Sequence, residues 1–252
     1  MLQGLKGNKE TKNEKEIYPP PYSLKAFTLS EVLITLVVIG VIAAITVPMI
    51  SNQSKWQKYR SSLMKAKSVL DQAVLKYAIE NGENPSCGYL KVDGSPVVDF
   101  SECPKLYNSF KDSLNTLKVC DSNAYENGCI PEYEGNDTIY SKNNPSASEE
   151  DAAQATQPCA GRNKAAILSG KAIVLSDGMI FFPYFSFNTP IMGVDLNGQA
   201  GPNKWGIDIH SFILKKKELN SQPYFDAYYS GCEPIETGGI HTKTLLYDNL
   251  SK

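Results

Sequence analysis

The chain has 252 residues, 42% of which are hydrophobic, and its 25 Lys and Arg nearly balance its 27 Asp and Glu. The charge is unevenly placed, because residues 82–252 hold 14 Lys and Arg against 21 Asp and Glu, a net charge of −7. Such an acidic region argues against nucleic acid as a main partner, since binding to phosphates needs clustered Lys and Arg.

The first 26 residues form a polar leader. It has five lysines against three glutamates, hence a net charge of +2. Lysine-rich flanks of a membrane segment stay in the cytoplasm. The sequence therefore predicts a cytoplasmic N-terminus, with everything after Pro48 outside.

Residues 27–50 are predicted to be a membrane-spanning helix. Between Val32 and Val47 nearly every residue is Val, Ile, Leu, Ala or Gly, and Glu31 is the only charged residue of the segment. Its 24 residues make a helix of about 36 Å, which exceeds the roughly 30 Å of a bilayer core. A cleaved secretory signal is excluded, because the small residue Ala26 precedes the apolar run and no small-residue cleavage site follows it.

The junction between the leader and this helix has a specific motif. Lys25 and Ala26 precede a Phe-Thr-Leu that begins at Phe27, Glu31 follows four residues after that Phe, and Pro48 follows twenty-one residues after it. The combination resembles the class III signal of type IV pilins and type II secretion pseudopilins, although the family usually has Gly where this chain has Ala26. The resemblance implies that a prepilin peptidase cuts between Ala26 and Phe27, and that the new amine on Phe27 is then N-methylated.

Glu31 has two interpretations. The resemblance implies an assembly role, in which the carboxylate is offset by the amine of Phe27 on a neighbouring subunit, since a buried charge needs a nearby opposite charge. The alternative is a helix capping box, in which Thr28 and Glu31 satisfy free backbone N–H groups of the first turn. The two roles are compatible.

Residues 51–82 are predicted to form a second, amphipathic helical stretch. Pro48 removes a backbone donor just before it and is expected to kink or loosen the helix. Apolar residues recur at three- and four-residue steps from Trp56 to Tyr77, and Asn81-Gly82 is a typical helix stop. Six Lys and Arg against two acidic residues give the stretch a charge of +4, which is either simply solvated or in contact with lipid head groups or acidic neighbours in a filament.

Residues 83–252 are predicted to form one β-rich head domain. The clearest signal is a hairpin over 171–182 with Asp177-Gly178 at its turn, followed by strands over Ile191–Leu196 and Ile207–Leu214. We expect an antiparallel sheet packed against the long helix, which is an α+β fold of the pilin type. The composition favours strands and long loops rather than helices in the head.

A polar segment interrupts the head. Gly135–Gln157 is low in large apolar residues and rich in Asn, Ser, Ala, Asp and Glu. It is predicted to be an exposed, mobile loop.

Six cysteines lie in the predicted head: Cys87, Cys103, Cys120, Cys129, Cys159 and Cys232. An even number of cysteines outside the cytoplasm favours disulfides, and six cysteines allow fifteen pairings. The most local choice is Cys120 with Cys129, and the next is Cys87 with Cys103, which leaves Cys159 with Cys232. No CxxC motif is present, so a zinc or redox site is not expected.

The loop Asp195–Asp208 is the most suggestive candidate for a ligand site. Asp195, Asn197 and Asp208, together with backbone carbonyls, offer the oxygens that calcium prefers. The start of the loop is similar to an EF-hand, but no glutamate occupies the twelfth position, and loops in a similar place in major pseudopilins bind calcium. The alternative is that glycines shape a tight connection in which the Asp and Asn side chains make turn hydrogen bonds. Apart from this calcium alternative, no cofactor is expected.

No catalytic site is predicted. The two histidines, His210 and His241, have no neighbours at metal-ligand spacing, and neither a G-x-S-x-G elbow nor a phosphate-binding loop occurs.

The sequence therefore predicts a structural subunit rather than an enzyme. The resemblance implies a subunit anchored in the bacterial inner membrane by a single helix and later drawn into a type IV pilus or a type II secretion pseudopilus. Its partners would be the prepilin peptidase, other pilin-like subunits, the inner-membrane assembly platform and membrane lipid. One alternative is a membrane-anchored binding or adhesion module that does not polymerise, and another is an anchored hydrolase outside the cytoplasm.

Overall fold

The computed structural model describes residues 27–92, 95–183, 190–218, 220–229 and 232–248. The leader, which includes Ala26, lies outside the described residues. The chain divides into two compact units, one that ends at Pro48 and one that begins at Met49.

The longest element is helix α1, Leu29–Asn81. Among the described residues, Leu29–Thr46 is the one helical segment long and apolar enough to cross a membrane, as judged by length and composition. The helix assignment continues through Pro48, and the kink expected there stays a prediction. α1 ends at the predicted stop, because Gly82 follows it with a φ of +74°, a conformation that glycine adopts without strain.

The head is built on an eight-stranded sheet in the described part of the chain. Its strands are β1 (Gly88–Val92), β2 (Ser95–Asp99), β3 (Thr116–Cys120), β4 (Ala172–Leu175), β5 (Ile180–Pro183), β6 (Ile191–Asp195), β7 (Ile209–Lys215) and β8 (Tyr224–Ala227). Their order is β2-β1-β7-β6-β5-β4-β3, and β8 also pairs with β7. Only the β1–β7 pairing is parallel among these strands. The predicted α+β fold with a mainly antiparallel sheet is confirmed.

Strands β4 and β5 form the predicted hairpin. Its turn is at Asp177-Gly178, where Gly178 has a φ of +91° and the Asp177 carboxylate accepts a 3.1 Å hydrogen bond from the Met179 N–H. β7 begins at Ile209, two residues later than predicted. The delay arises because Asp208 is held in a turn, with its carboxylate accepting hydrogen bonds from backbone N–H groups that precede it.

Helices in the head contradict the prediction of strands and loops alone. They are α2 (Cys103–Ser113), α3 (Asn136–Asn143), α4 (Glu149–Thr156), α5 (Lys164–Leu168), α6 (Thr242–Tyr247) and a 3₁₀ helix over Gln157–Arg162. The loop predicted for Gly135–Gln157 was wrong, because α3 and α4 occupy most of it. α4 starts at a capping box in which the Ser148 hydroxyl accepts from the Asp151 N–H at 3.1 Å and the Asp151 carboxylate accepts from the Ser148 N–H at 3.0 Å.

The core has two layers, one on each face of the sheet. On one face the part of α1 within the head packs its fully buried Leu63, Leu70 and Val74 against the sheet, together with residues of α2. On the other face the core includes Trp205, Tyr133, Ile130 and Ile167. Successive residues of β5 alternate between the two layers, as the two-residue period of a strand requires.

Three disulfides connect the head. They join Cys87 to Cys103, Cys120 to Cys129, and Cys159 to Cys232. This is the same set of pairs that the spacing favoured. The first two close loops of 16 and 9 residues, whereas the third joins positions 73 residues apart.

Candidate functional site

Phe27 and Glu31 lie at the start of α1, four residues apart in the sequence. Phe27 is 84% exposed just before the helix. The Glu31 carboxylate accepts hydrogen bonds of 2.9 Å from both the backbone N–H and the hydroxyl of Thr28, and that hydroxyl accepts one of 3.2 Å from the Glu31 N–H. This arrangement is the capping box of the second interpretation. Within the described residues, no Lys, Arg or His forms an ion pair with Glu31.

The helix that follows Glu31 presents apolar side chains on all its sides. Its ten large aliphatic residues from Val32 to Ile45 are each between 44% and 65% exposed. A helix that is hydrophobic all round needs lipid or other helices to cover it. This surface is therefore available for insertion into a membrane or for assembly with other helices.

Polar groups within this helix are satisfied by the helix itself. The Thr35 hydroxyl donates at 2.9 Å to the backbone oxygen of Glu31, and the Thr46 hydroxyl donates at 2.9 Å to that of Ile42. Gly40 leaves open space where a side chain would be, since no atom lies within 4 Å of the position of its Cβ. Such a surface suits a dry environment and close approach by another helix.

Two further residues, Ala26 and Pro48, were predicted to take part in processing and assembly. Ala26 lies outside the described residues. Pro48 lies within α1, at the last position of the first compact unit.

Two of the three predicted calcium ligands, Asp195 and Asp208, use their carboxylate oxygens in turns, and the third, Asn197, donates from Nδ2 to the Gly201 backbone oxygen at 3.0 Å. Asp195 is fully buried, and its carboxylate accepts hydrogen bonds from the Asn197 N–H at 3.1 Å, the Gly198 N–H at 2.8 Å and the Tyr133 hydroxyl at 2.7 Å. The Asp208 carboxylate accepts bonds of 2.9 and 2.7 Å from two backbone N–H groups. In the described chain no three His, Cys, Asp or Glu side chains converge as metal ligands. The geometry favours the turn alternative over calcium.

Comparison with known proteins now decides the family. The chain is 32% identical over 92 residues to the competence protein ComGC of Streptococcus pneumoniae, a match that spans 36% of this chain and 84% of that protein. The chain belongs to the pilin-like family of that protein. No family model matches the sequence, and no solved structure matches the fold. The matched 92 residues leave most of this pilin-like chain outside the comparison.

The two histidines of this pilin-like protein belong to one polar network. His210 is buried, with Nε2 at 3.1 Å from the backbone oxygen of Ile207 and Nδ1 at 3.3 Å from the Thr242 hydroxyl. Burial lowers the pKa of His210 to about 4, so its ring is neutral at pH 7. Glu233 accepts hydrogen bonds from the Thr242 hydroxyl and N–H and lies 2.7 Å from Nδ1 of His241. The network holds the start of α6 on the sheet, since the Thr242 hydroxyl also accepts a 3.1 Å hydrogen bond from the Ser211 N–H of β7.

A second contact that sequence reasoning missed holds the end of α6. The Arg60 guanidinium donates hydrogen bonds of 2.9 and 3.1 Å to the backbone oxygens of Leu246 and Asp248. Arg60 belongs to α1, 186 and 188 residues before these partners. No local sequence pattern links residues so far apart in the chain. The one sequence feature that pointed to Arg60 was the positive charge of residues 51–82.

Proposed function

We propose that the chain is a structural subunit of a pilus-like filament rather than an enzyme. The observation that carries the proposal is the helix Leu29–Thr46, which is exposed and apolar on all sides and begins directly after the Thr28–Glu31 capping box. A subunit with this helix waits in the cytoplasmic membrane and then exchanges lipid for the helices of its neighbours. The family relationship supports the same conclusion.

The leader is removed before assembly in this proposal. A prepilin peptidase cuts between Ala26 and Phe27, and Phe27 then carries the new, methylated amine. The strongly exposed position of Phe27 ahead of the helix is compatible with access by such an enzyme. The peptidase works on the cytoplasmic side, where the lysine-rich leader stays.

Glu31 supplies the charge that aligns subunits. In the low-dielectric centre of a bundle of apolar helices, an unpaired carboxylate is costly, and removal of one partner of a buried ion pair costs about 3–5 kcal/mol. The amine of Phe27 on the next subunit is the cation that offsets it. The capping hydrogen bonds from Thr28 then orient the carboxylate within its own helix.

The relative bears the name of a competence protein, and we propose that this filament likewise serves competence. The partners of the subunit are other pilin-like subunits and an assembly platform in the inner membrane. The head faces outward and decorates the filament.

Mass spectrometry of the protein from its own cells tests processing. The expected N-terminus is methylated Phe27. An Ala26→Gly variant restores the usual family residue and should be processed at least as fast, whereas Ala26→Leu should block cleavage. Sedimentation of sheared surface filaments tests assembly, with the mature chain expected in the pellet. A chain that keeps its first 26 residues and never sediments would show a permanently tethered binding module instead.

A further inference from the structure

A groove of about 520 Å³ lies on the head between β1, β7, β8 and α6. Its volume is within the roughly 300–1,000 Å³ of small-molecule sites. The lining contains four tyrosines, Tyr89, Tyr228, Tyr229 and Tyr247, and the charged residues Lys215, Asp226 and Lys243. Grooves of similar volume beside α1 contain one tyrosine or none in their lining. The tyrosine content therefore sets this groove apart from them.

Neighbouring groups hold three of the four tyrosines in place. The Tyr247 hydroxyl donates a 2.6 Å hydrogen bond to the Asp226 carboxylate. The Tyr228 ring stacks with the Arg162 guanidinium, whose central carbon lies 4.6 Å from the ring centroid. Tyr229 meets the His241 ring edge to face at a centroid distance of 5.2 Å. Rings that are already ordered lose little conformational entropy when a ligand covers them.

Two of these rings are left largely in water. Tyr229 is 62% exposed and Tyr247 is 53% exposed, whereas Tyr77 and Tyr133 are buried in the core. Exposed aromatic surface gathered in a concave site is typical of a binding site rather than of a solvated face.

The charges of the groove are nearly balanced. Lys215 forms a 2.7 Å ion pair with Asp226, and Lys243 lies 5.4 Å from the centre of the Tyr229 ring. Burial raises the pKa of Asp226, but hydrogen bonds from Lys215 and Tyr247 outweigh it and leave the pKa below its usual value, so the carboxylate is ionised. A groove with one net positive charge, on a region with a charge of −7, gives a polyanion such as DNA little attraction.

We propose that this groove binds a neutral oligosaccharide. The apolar face of a sugar ring stacks on Tyr229 and Tyr247, and sugar hydroxyls exchange hydrogen bonds with the tyrosine hydroxyls, the Asp226 carboxylate and the two lysines. The site lies in the head and does not involve the residues of the assembly proposal, so each proposal stands or falls alone.

Calorimetry on the full chain tests this site. The protein is kept in micelles of lauryldimethylamine oxide, because the common maltoside detergents carry sugars that would compete. The probes are chitotetraose, cellotetraose and maltotetraose, with an oligothymidylate of about 12 nucleotides as the polyanion. We expect at least one tetrasaccharide to bind with saturation below about 10 mM, and the oligothymidylate not to bind.

Three variants locate the site on the head. Tyr229→Ala and Tyr247→Ala should each weaken saccharide binding by at least about tenfold, whereas Tyr229→Phe, which keeps the ring, should retain it. Tyr125→Ala is the matched control, because Tyr125 is 43% exposed but lies between Cys120 and Cys129, outside the groove. The proposal is overturned if no tetrasaccharide binds, if only the oligothymidylate binds, or if the two alanine variants bind like Tyr125→Ala.

Discussion

The Tyr133 hydroxyl donates a 2.7 Å hydrogen bond to the Asp195 carboxylate in the interior of the head, although the two residues are 62 positions apart. Two backbone N–H groups of the following turn donate to the same carboxylate. Burial raises the pKa of Asp195 to about 7, with a smaller contribution from the Asp208 carboxylate, and the three hydrogen bonds act in the opposite direction. The result is a core carboxyl group that titrates near neutrality.

Asp195 is predicted to reduce the free energy of unfolding as the pH rises. Its folded pKa of about 7 exceeds its unfolded value of about 3.9, so the folded state holds the proton longer and loses stability between these pH values. The slope is at most about 1.4 kcal/mol per pH unit. Asp195→Asn, which mimics the protonated group, should gain stability relative to the natural chain as the pH goes from 4 to 8. Denaturant unfolding across this range measures it, and a constant difference would contradict the prediction.

His210 is predicted to act in the opposite sense. Its folded pKa of about 4 lies below its unfolded value of about 6.5, so stability is lost as the pH falls from about 6.5 to about 4. His210→Gln should be less stable than the natural chain at pH 7, and the gap should narrow towards pH 4. The same unfolding series measures this. A gap that widens on acidification would show that the ring is charged in the folded head.

The two roles of Glu31 can be separated by a pair of variants. Glu31→Gln keeps an oxygen that can accept the Thr28 hydrogen bonds but removes the charge, whereas Thr28→Val keeps the charge and removes the capping hydroxyl, at a cost of about 1 kcal/mol. If the charge directs assembly, Glu31→Gln should be processed normally yet be missing from sheared filaments, and Thr28→Val should be present. The reverse pattern would leave capping as the role of Glu31.

The disulfides are predicted to differ in their effect on stability. Cross-linking removes more entropy from the unfolded chain when the closed loop is longer, about 4 kcal/mol for the 73-residue separation of Cys159 and Cys232 and about 3 kcal/mol for the 9-residue separation of Cys120 and Cys129. Replacing both cysteines of a pair by alanine should therefore lower the midpoint of denaturant unfolding more for the Cys159–Cys232 pair. Equal midpoints would mean that the unfolded chain is already compact around the long loop.

Gly198 is predicted to tolerate no side chain. It has a φ of +62°, and a Cβ there would lie 2.1 Å from the backbone oxygen of Gly178 at the β4–β5 turn. Gly198→Ala should cost at least about 2 kcal/mol of unfolding free energy, because neither backbone can move without breaking the turn. Gly201→Ala is the control in the same loop, since no atom lies within 4 Å of its Cβ position. Thermal melting of both variants decides, and similar melting temperatures would refute the steric argument.

Sequence patterns located the elements that bury regular apolar faces. The whole of α1 and strands β4 to β7 have long apolar runs or a clear turn, and these positions were correct to within about two residues. The pattern failed for β3, where Leu117 is 73% exposed on an edge strand, and for α3 and α4, whose sequences are polar. The start of α4 did have a local sequence signal, because Ser148 and Asp151 have the spacing of a capping box. That box favours a helix here although the residues of α4 are polar.

Side-chain networks of the head were beyond sequence reasoning. The contacts of Asp195 with Tyr133, of Arg60 with the end of α6, and of Glu233 with Thr242 join residues from different elements. Spacing along the chain gives no information on such pairs, since the topology of the sheet brings them together. The turn hydrogen bonds of Asp195 and Asp208, which favour the alternative to calcium, were likewise not visible in the spacing of these residues.

The Cys159–Cys232 bond imposes an order on maturation. The two short bridges join neighbouring segments and are able to close before the rest of the head has been made. The third cannot close until β4 to β8 have been made, because those strands lie between its two ends. An oxidant that acts too early would meet Cys159 before Cys232 exists, so oxidation of this thiol has to follow synthesis of the whole segment between the two cysteines.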